Sequence, residues 1–334
     1  MMKSILVGTR VINPFLRNKE NSMNQHILLL GGIIIDEYLL VSEFPTRGED
    51  TFIRDSFQQV GGCAINVAVT LKNLGLIPHV VSVIGADDRG KEIDNYLQNQ
   101  GLSREAIQVN PKEKTGYCIS LVEKSGERTF MTFKGCESQF YTELISDQLL
   151  ENTSFLFVTG YYLLDFKFAS TIITFIQKIK ELGVKILFDP GSLLSKIDQN
   201  ILLSMIKLSD IITPNSGELE KLISLFEIEK ENCPEWFFKH GVSWLIEKRG
   251  NHGVNLWENR SDKNLFIPTY QVKSIDTSGA GDSFAGGLIY GILQGYNMQK
   301  SVMLANACGA ITTTYMGPHI KFNLNDILKI AGEY

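Results

Sequence analysis

Apolar residues follow two rhythms along this chain. Ile27–Leu30 and Ile33–Ile35 are continuous apolar runs around Gly31-Gly32, which predicts a buried strand with a glycine break and Asp36 at its end. Past Gly61-Gly62 the period lengthens. Ala64, Val67, Ala68, Leu71 and Leu74 recur at helical spacing until Gly75 stops them. Val80–Ile84 again predicts a buried strand, and Ile93–Leu97 lies in a helix ended by Gly101. Four more strands are predicted at Phe155–Val158, Lys185–Phe188, Ile211–Thr213 and Trp244–Glu247, with a helix over Ala169–Leu182. A loop and helix follow at 276–295, and a second helix around Val302–Thr312. Two stretches break the alternation. Residues 37–60 read as short strands and turns around Pro45, Gly48 and Thr51–Arg54. Thr115–Val122 and Arg128–Phe133 are rich in β-branched and aromatic residues around a polar turn, Glu123–Glu127, which is a hairpin signature.

Strands alternating with helices imply right-handed βαβ units and a mostly parallel sheet, an α/β fold. Ligands in such sheets gather outside the carboxyl ends of the strands. Asp36, Asn215, Gly250 and Asp282 all fall just after predicted strands, so one cleft is expected to collect them. No linker is long or polar enough to separate a second independent domain, and there is no internal repeat. Residues 1–25 are broken by Arg10, Arg17, Lys19 and Glu20 and lack an apolar core with a cleavage site, so they read as an N-terminal extension rather than a signal peptide. The domain proper is expected over 26–334.

Composition narrows the function classes. At 44% hydrophobic and 21% charged, the 334 residues suit a globular protein with a sizeable core. A formal net charge of −5 argues against non-specific nucleic-acid binding. No apolar run reaches the roughly 18 residues of a membrane span. The five cysteines are scattered without a CxxC pair, so free thiols in a reducing cytoplasm are expected rather than disulfides or zinc. The five histidines show no metal-binding spacing.

Candidate chemistry concentrates at Asp276-Thr-Ser-Gly-Ala-Gly-Asp-Ser-Phe284. A polar turn with two glycines runs straight into the apolar stretch Phe284–Leu293, as a loop entering a helix does. The backbone N–H groups of Gly279, Ala280 and Gly281, added to the helix dipole, make an anion site. Asp282 at its rim would repel a simple anion. Its presence makes sense if it accepts a proton from an alcohol while the backbone holds a phosphoryl group in transfer. The competing reading is an Asp in the cap of any α/β helix. Gly85–Glu92 matches a P-loop only superficially. Glu92 stands where a Ser or Thr should hold Mg²⁺, and Asp87 and Asp88 would repel phosphates. No GxGxxG follows the first strand, so a dinucleotide dehydrogenase is poorly supported.

The longer string DTSGAGDSFAGG resembles the C-terminal signature of the ribokinase-like (PfkB) family of carbohydrate and nucleoside kinases. The resemblance implies that Asp282 is the catalytic base and Gly279–Gly281 the anion hole. Val60-Gly-Gly-Cys-Ala-Ile-Asn66 resembles the family's N-terminal signature, in which Gly61, Gly62 and Asn66 lie against the substrate. Glycines let hydroxyls approach the backbone, and an Asn both donates and accepts toward a polyol. By family position Asp36 is a sugar ligand, a role that suits a carboxylate facing vicinal hydroxyls. Otherwise it is a turn Asp. Arg128, on the hairpin, is expected to reach a substrate hydroxyl or an acidic group.

Asn215-Ser-Gly-Glu218 resembles the family's Asn-x-x-Glu motif. Glu218 would then organise Mg²⁺ through its water shell, and Asn215 would meet phosphate or metal-bound water. The alternative is a helix start with Glu in its first turn. Lys248, Gly250 and Gly253 occupy the beginning of the nucleotide loop, where Lys248 either meets phosphate or points into solvent. Asn306 is placed beside the adenine. Asp276, Ser278 and 312–317 match places that hold a monovalent cation in some members, so the resemblance allows K⁺ there.

The resemblance covers about 26–330. It implies a ribokinase-like α/β fold, with 37–60 and 115–133 forming a small β lid over the sugar and offering an edge on which two copies could pair. The implied function is ATP- and Mg²⁺-dependent phosphorylation of a small sugar. A nucleoside kinase on the same scaffold is the alternative, with Tyr38, Phe52, Tyr161 and Tyr162 available for a base slot. A sugar sensor that kept the fold without catalysis is a third reading.

Overall fold

The computed structural model describes residues 26–125, 127–259, 261, 264–318 and 320–332. The extension expected over 1–25 lies outside the described residues. The chain begins β1 (His26–Leu30), β2 (Ile34–Val41), β3 (Ile53–Gly61), α1 (Cys63–Asn73), β4 (Ile77–Gly85), α2 (Asp88–Gln100) and β5 (Ile107–Asn110). It continues through β6 (Tyr117–Val122), β7 (Arg128–Phe133), α3 (Asp147–Glu151), β8 (Thr153–Thr159), α4 (Phe166–Glu181), β9 (Lys185–Asp189) and α5 (Gln199–Leu208). The last part holds β10 (Ile211–Ile212), α6 (Ser216–Leu225), α7 (Cys233–Lys239), β11 (Trp244–Lys248), β12 (Val254–Glu258) and β13 (Asn264–Ile267). Three helices close it: α8 (Ala280–Leu293), α9 (Met298–Thr312) and α10 (Leu324–Ala331).

Nine strands form one sheet in the order β13-β12-β11-β10-β9-β8-β1-β4-β5. From β11 to β5 every pairing is parallel, and β12 and β13 are antiparallel. A parallel sheet needs both faces covered, and the alternation of its strands supplies two cores. On β1, Ile27 and Leu29 face a core shared with α1, α2, α8, α9 and α10. Leu28 and Leu30 face the other, shared with α4, α5, α6 and α7. The chain leaves β1 toward β4 and β5, then returns to β8 and proceeds the other way. The strand order therefore reverses at β1, where a ligand crevice is expected beyond the strand ends.

The apolar run 27–35 is not one strand with a break. Gly31-Gly32 ends β1 in the large sheet, and Ile34 begins β2 in a separate four-stranded sheet ordered β3-β2-β6-β7. Continuous apolarity hides the change because both strands are buried. Asp36 is consequently the third residue of β2 rather than a strand-end residue. β2 pairs antiparallel with β3 and parallel with β6, so the hairpin β6–β7 and the segment 34–61 build one small sheet. Residues Asp36 and Tyr38 share a face with Gln59, Phe57, Cys118 and Ser120, to which they are paired.

Helix α8 is positioned by its glycines. At Gly286 a Cβ would overlap Thr70 of α1, and at Gly287 it would overlap Cys308 of α9, so two helices close onto the backbone of α8. Ser283 completes the contact: its Oγ lies 3.1 Å from Thr70 Oγ1 and accepts from Thr312 Oγ1 at 2.8 Å. The first turn of α8 is thus fixed to the helix that carries Asn66.

Candidate active site

The turn Gly279–Gly281 enters α8 as the sequence predicts. Gly279 is the N-cap at φ 71°, a left-handed conformation that suits glycine. Ala280, Gly281 and Asp282 form the first helical turn, so their N–H groups are among those an α-helix leaves without intrahelical partners. No strand runs directly into Asp282. The segment 268–279 carries the chain from the sheet edge at β13 to the centre, so of the four residues expected after strands, Asp282 and Asp36 are placed by other means.

Asp282 meets the N-terminal signature directly. Asn66 Nδ2 donates to Asp282 Oδ2 at 2.8 Å, across 216 residues of sequence. Asn66 is buried, and its Oδ1 has no hydrogen-bond partner. Burial pushes the Asp282 carboxyl up to about 7, against the hydrogen bond from Asn66, with the negative charge of Asp189 adding to the rise. Burial likewise raises Asp36 to about 7, and the charge of Asp282 adds to that shift. Asp36 lies over Gly61, where any Cβ would run into its carboxylate. Gly62, at φ 105°, caps α1 and has no room for a side chain against the carbonyl of Gly32. Asp36, Gly61, Gly62, Asn66 and Asp282 therefore gather on one cleft between the two sheets.

A cavity of about 260 Å³ adjoins this cleft, lined among others by Lys248, Gly253, Ala280, Gly281, Asn306 and Thr313. Gly250 lines it too. Asn306 donates to the carbonyl of Pro268 at 3.2 Å. Lys248 does not point into solvent. It is 14% exposed and its Nζ donates to Asp189 Oδ2 at 2.5 Å, where Thr213 Oγ1 also donates at 3.1 Å. Burial pulls the ammonium pKa down, but Asp189 and Glu218 outweigh it and hold Lys248 above its ordinary value. A Cβ on Gly281 would lie 3.5 Å from this Nζ, so the ammonium stands beside the glycine turn.

Asn215 and Glu218 form a reciprocal capping box at the start of α6. Asn215 Oδ1 accepts from Glu218 N at 2.9 Å, and Glu218 Oε2 accepts from Asn215 N at 2.8 Å. The helix-start reading of this motif is thus realised. Its position is still informative, because burial and then Asp189 raise the Glu218 carboxyl, which marks the two acids as neighbours.

Arg128 reaches an acidic group within the protein. Its guanidinium pairs with Asp276 Oδ1 at 2.8 Å and donates to Ser278 Oγ. The two residues allowed as K⁺ ligands are therefore the ones this arginine holds. Among the aromatic residues considered for a base slot, Tyr162 is buried and donates to the Gln139 carbonyl, while Phe52 is 92% exposed. Tyr38 stacks on Phe57 at 4.6 Å between ring centroids, on the face that carries Asp36.

Two neighbours of the site were not foreseen. Asp189 ends β9 at the carboxyl edge of the sheet, and the strand-end rule that singled out Asn215 would have found it. Cys63 opens α1 beside Asp282; burial and then the charge of Asp282 push its thiol up. No motif chemistry marks a cysteine in that place.

Comparison with known proteins finds relatives along most of the chain. The pfkB family carbohydrate kinase description matches residues 24–323. An uncharacterized sugar kinase of Escherichia coli, YegV, is 28% identical over 301 residues, covering 89% of this chain and 91% of its own. A nucleoside kinase of Methanocaldococcus jannaschii is 25% identical over 295 residues, covering 87% and 90%. The crystal structure of ribokinase from Thermotoga maritima superposes with a TM-score of 0.80 at 25% identity, covering 92% of this chain and 99% of that one.

Proposed function

This chain belongs to the pfkB family of carbohydrate kinases, and from that premise we propose that it transfers the γ-phosphoryl group of ATP to a hydroxyl of a small neutral sugar. One observation carries the acceptor side of this reading. Asn66 gives its Nδ2 to Asp282 and keeps a buried, unpartnered Oδ1 beside it. A buried acceptor without a donor is costly, and a sugar hydroxyl supplies the donor at the point where a proton must be removed.

In this reading Asp36, the Gly61-Gly62 backbone and Asn66 hold the sugar, and the small sheet serves as the lid that excludes water. Asp282, with its carboxyl near 7, takes the proton as the hydroxyl oxygen attacks the γ-phosphorus. The new O–P bond forms as the bond to the ADP oxygen breaks. N–H groups of 279–282 receive the charge on the transferring oxygens. Lys248 is the nearest ammonium to that turn, and contact with the phosphate chain would draw it from Asp189. The cavity bounded by Gly250, Gly253 and Asn306 suits the nucleotide. Glu218 has one oxygen in the cap and Asp189 has its Oδ2 on Lys248, so this oxygen-only set fits hydrated Mg²⁺ through water rather than direct ligation. When bound, Mg²⁺ neutralises charge on the phosphates.

Neutrality of the acceptor follows from Arg128, the cation on the cleft-facing side of the small sheet, being committed to Asp276. The Tyr38–Phe57 stack favours a nucleoside as the second reading, since it offers a flat apolar wall near Asp36. A second copy of the chain would pair on the small sheet, whose edge strands β3 and β7 carry the exposed Ile53, Phe57, Phe130 and Phe133. The cytoplasm is the working compartment we assign, where ATP is supplied and thiols such as Cys63 stay reduced.

The test is ADP release against a panel of neutral sugars, sugar phosphates and nucleosides. Turnover with a neutral sugar supports the proposal. Turnover with nucleosides alone moves it to the second reading, and binding without ADP release rejects catalysis.

A further inference from the structure

Asp276 is 2% exposed, and both oxygens of its carboxylate accept hydrogen bonds. Oδ1 accepts from Ser278 N at 2.7 Å and from Arg128 Nη2 at 2.8 Å, and Oδ2 accepts from Gly317 N at 3.0 Å. Burial alone would raise this acid, yet the backbone donors and then Arg128 hold it below the usual carboxylate range, so the ionised form persists. The guanidinium also reaches Ser278 Oγ. Both partners lie immediately before Gly279–Gly281. The segment bonded to Oδ2 leads into Pro318, whose carbonyl abuts Gly279. Asp276 thus ties together the two chain segments that shape the turn into α8, and one cation, borne by the first residue of β7 in the small sheet, pairs with that carboxylate and with Ser278.

These residues do not fit a free monovalent cation. The carboxylate's charge is already matched by a guanidinium and both of its oxygens already accept hydrogen bonds, so K⁺ would have to compete with a bidentate-capable cation for it. We infer that Arg128 is a positioning residue that supplies, from the small sheet, the positive charge shaping the anion-hole turn, and that phosphoryl transfer in this chain needs no K⁺. The inference rests on the kinase reading for its catalytic consequence only. The geometry has a chemical consequence: seating the small sheet over the acceptor and ordering the phosphate-binding turn become one event. A misplaced turn costs rate rather than acceptor affinity, on the order of 10²-fold for a displacement of about 1 Å.

The experiment compares wild type with Arg128→Ala and Arg128→Lys in K⁺, Na⁺ and tetramethylammonium chlorides. Steady-state kinetics, thermal melting and thallium soaks of crystals are the readouts. In wild type, kcat is expected to agree across the three salts within about twofold. K⁺ should leave Tm where Na⁺ does, and no thallium should bind beside Asp276. Arg128→Ala should lose roughly 10- to 100-fold in kcat with little change in sugar KM. Millimolar guanidinium should restore part of that loss, a response that a merely structural defect would not give. Arg128→Lys keeps the charge without the fork and should fall between. K⁺-dependent kcat in wild type, thallium at Asp276 with Arg128 displaced, or an Arg128→Ala enzyme with unchanged kcat would each overturn the inference. If wild type phosphorylates no acceptor, the kinase reading fails, while thallium binding and melting still decide whether Arg128 holds the cation's place.

Discussion

Replacing Asp282 by Asn separates what this carboxylate does for chemistry from what it costs the fold. Asn keeps the shape and can still accept from Asn66 Nδ2. It removes a charge whose carboxyl is pushed from 3.8 to about 7 by burial. Three pH units at about 1.4 kcal/mol each set an upper figure of about 4 kcal/mol for the strain of ionising this group in the native state. The sign follows from proton counting. Between about pH 4 and 7 the native protein holds a proton that the unfolded chain has lost, so this group's contribution is present below pH 4 and lost as pH rises through 7. At pH 8 the variant should therefore be more stable than wild type by about 2–4 kcal/mol, a rise of several degrees in Tm. The gap should close as pH is lowered toward 4. Turnover should fall by roughly 10²–10⁴ if the lost carboxylate is the base, with sugar affinity by calorimetry nearly intact. Scanning calorimetry at pH 4 and 8 and a coupled ADP assay give both answers. Wild-type turnover would refute the assignment of the base, and a variant less stable at pH 8 would refute the buried-charge argument.

Two further outcomes follow from the same geometry. Below an apparent pKa near 7, kcat/KM for the acceptor should fall about tenfold per pH unit as Asp282 protonates, measured in a buffer series at constant ionic strength; a profile flat to pH 5 contradicts this. Gly281→Ala adds a methyl that meets nothing in the protein nearer than Lys248 Nζ at 3.5 Å, and Ala is favoured over Gly in a helix by up to about 1 kcal/mol. Melting should therefore be unchanged or raised, while the methyl in the phosphoryl path lowers kcat by roughly 10²-fold; undiminished turnover would show that the turn receives no anion.

The large sheet and its helices were legible because their apolar periods differ and glycines punctuate them, as at Gly75 and Gly101. The division at Gly31-Gly32 was not, because strands of two sheets are equally apolar there and only their partners differ. Both signatures were readable as glycine turns entering apolar helices. Their meeting through Asn66 and Asp282 was implied only by resemblance, since no local property of either segment encodes contact across 216 residues. Lys248 and Arg128 were visible as cations, but their carboxylate partners lie 59 and 148 residues away on other elements. Asp189 illustrates the opposite case. Its place at a strand end was readable, but its weight came only once Lys248 was found against it.

Glycines 286 and 287 weld α8 to α1 and α9, so Asp282, the proposed base, and Asn66 ride on one rigid block, whereas Asp36 and the Tyr38–Phe57 pair belong to another. On the proposed function, recognition of the acceptor is thereby shared between a fixed half and a half that can diverge. Substitutions on β2, β3 and β6, and on β7 beyond Arg128, are free to retune which hydroxyls are gripped while the proposed apparatus of proton removal stays untouched. An architecture divided in this way lets one reaction be handed from acceptor to acceptor without being rebuilt.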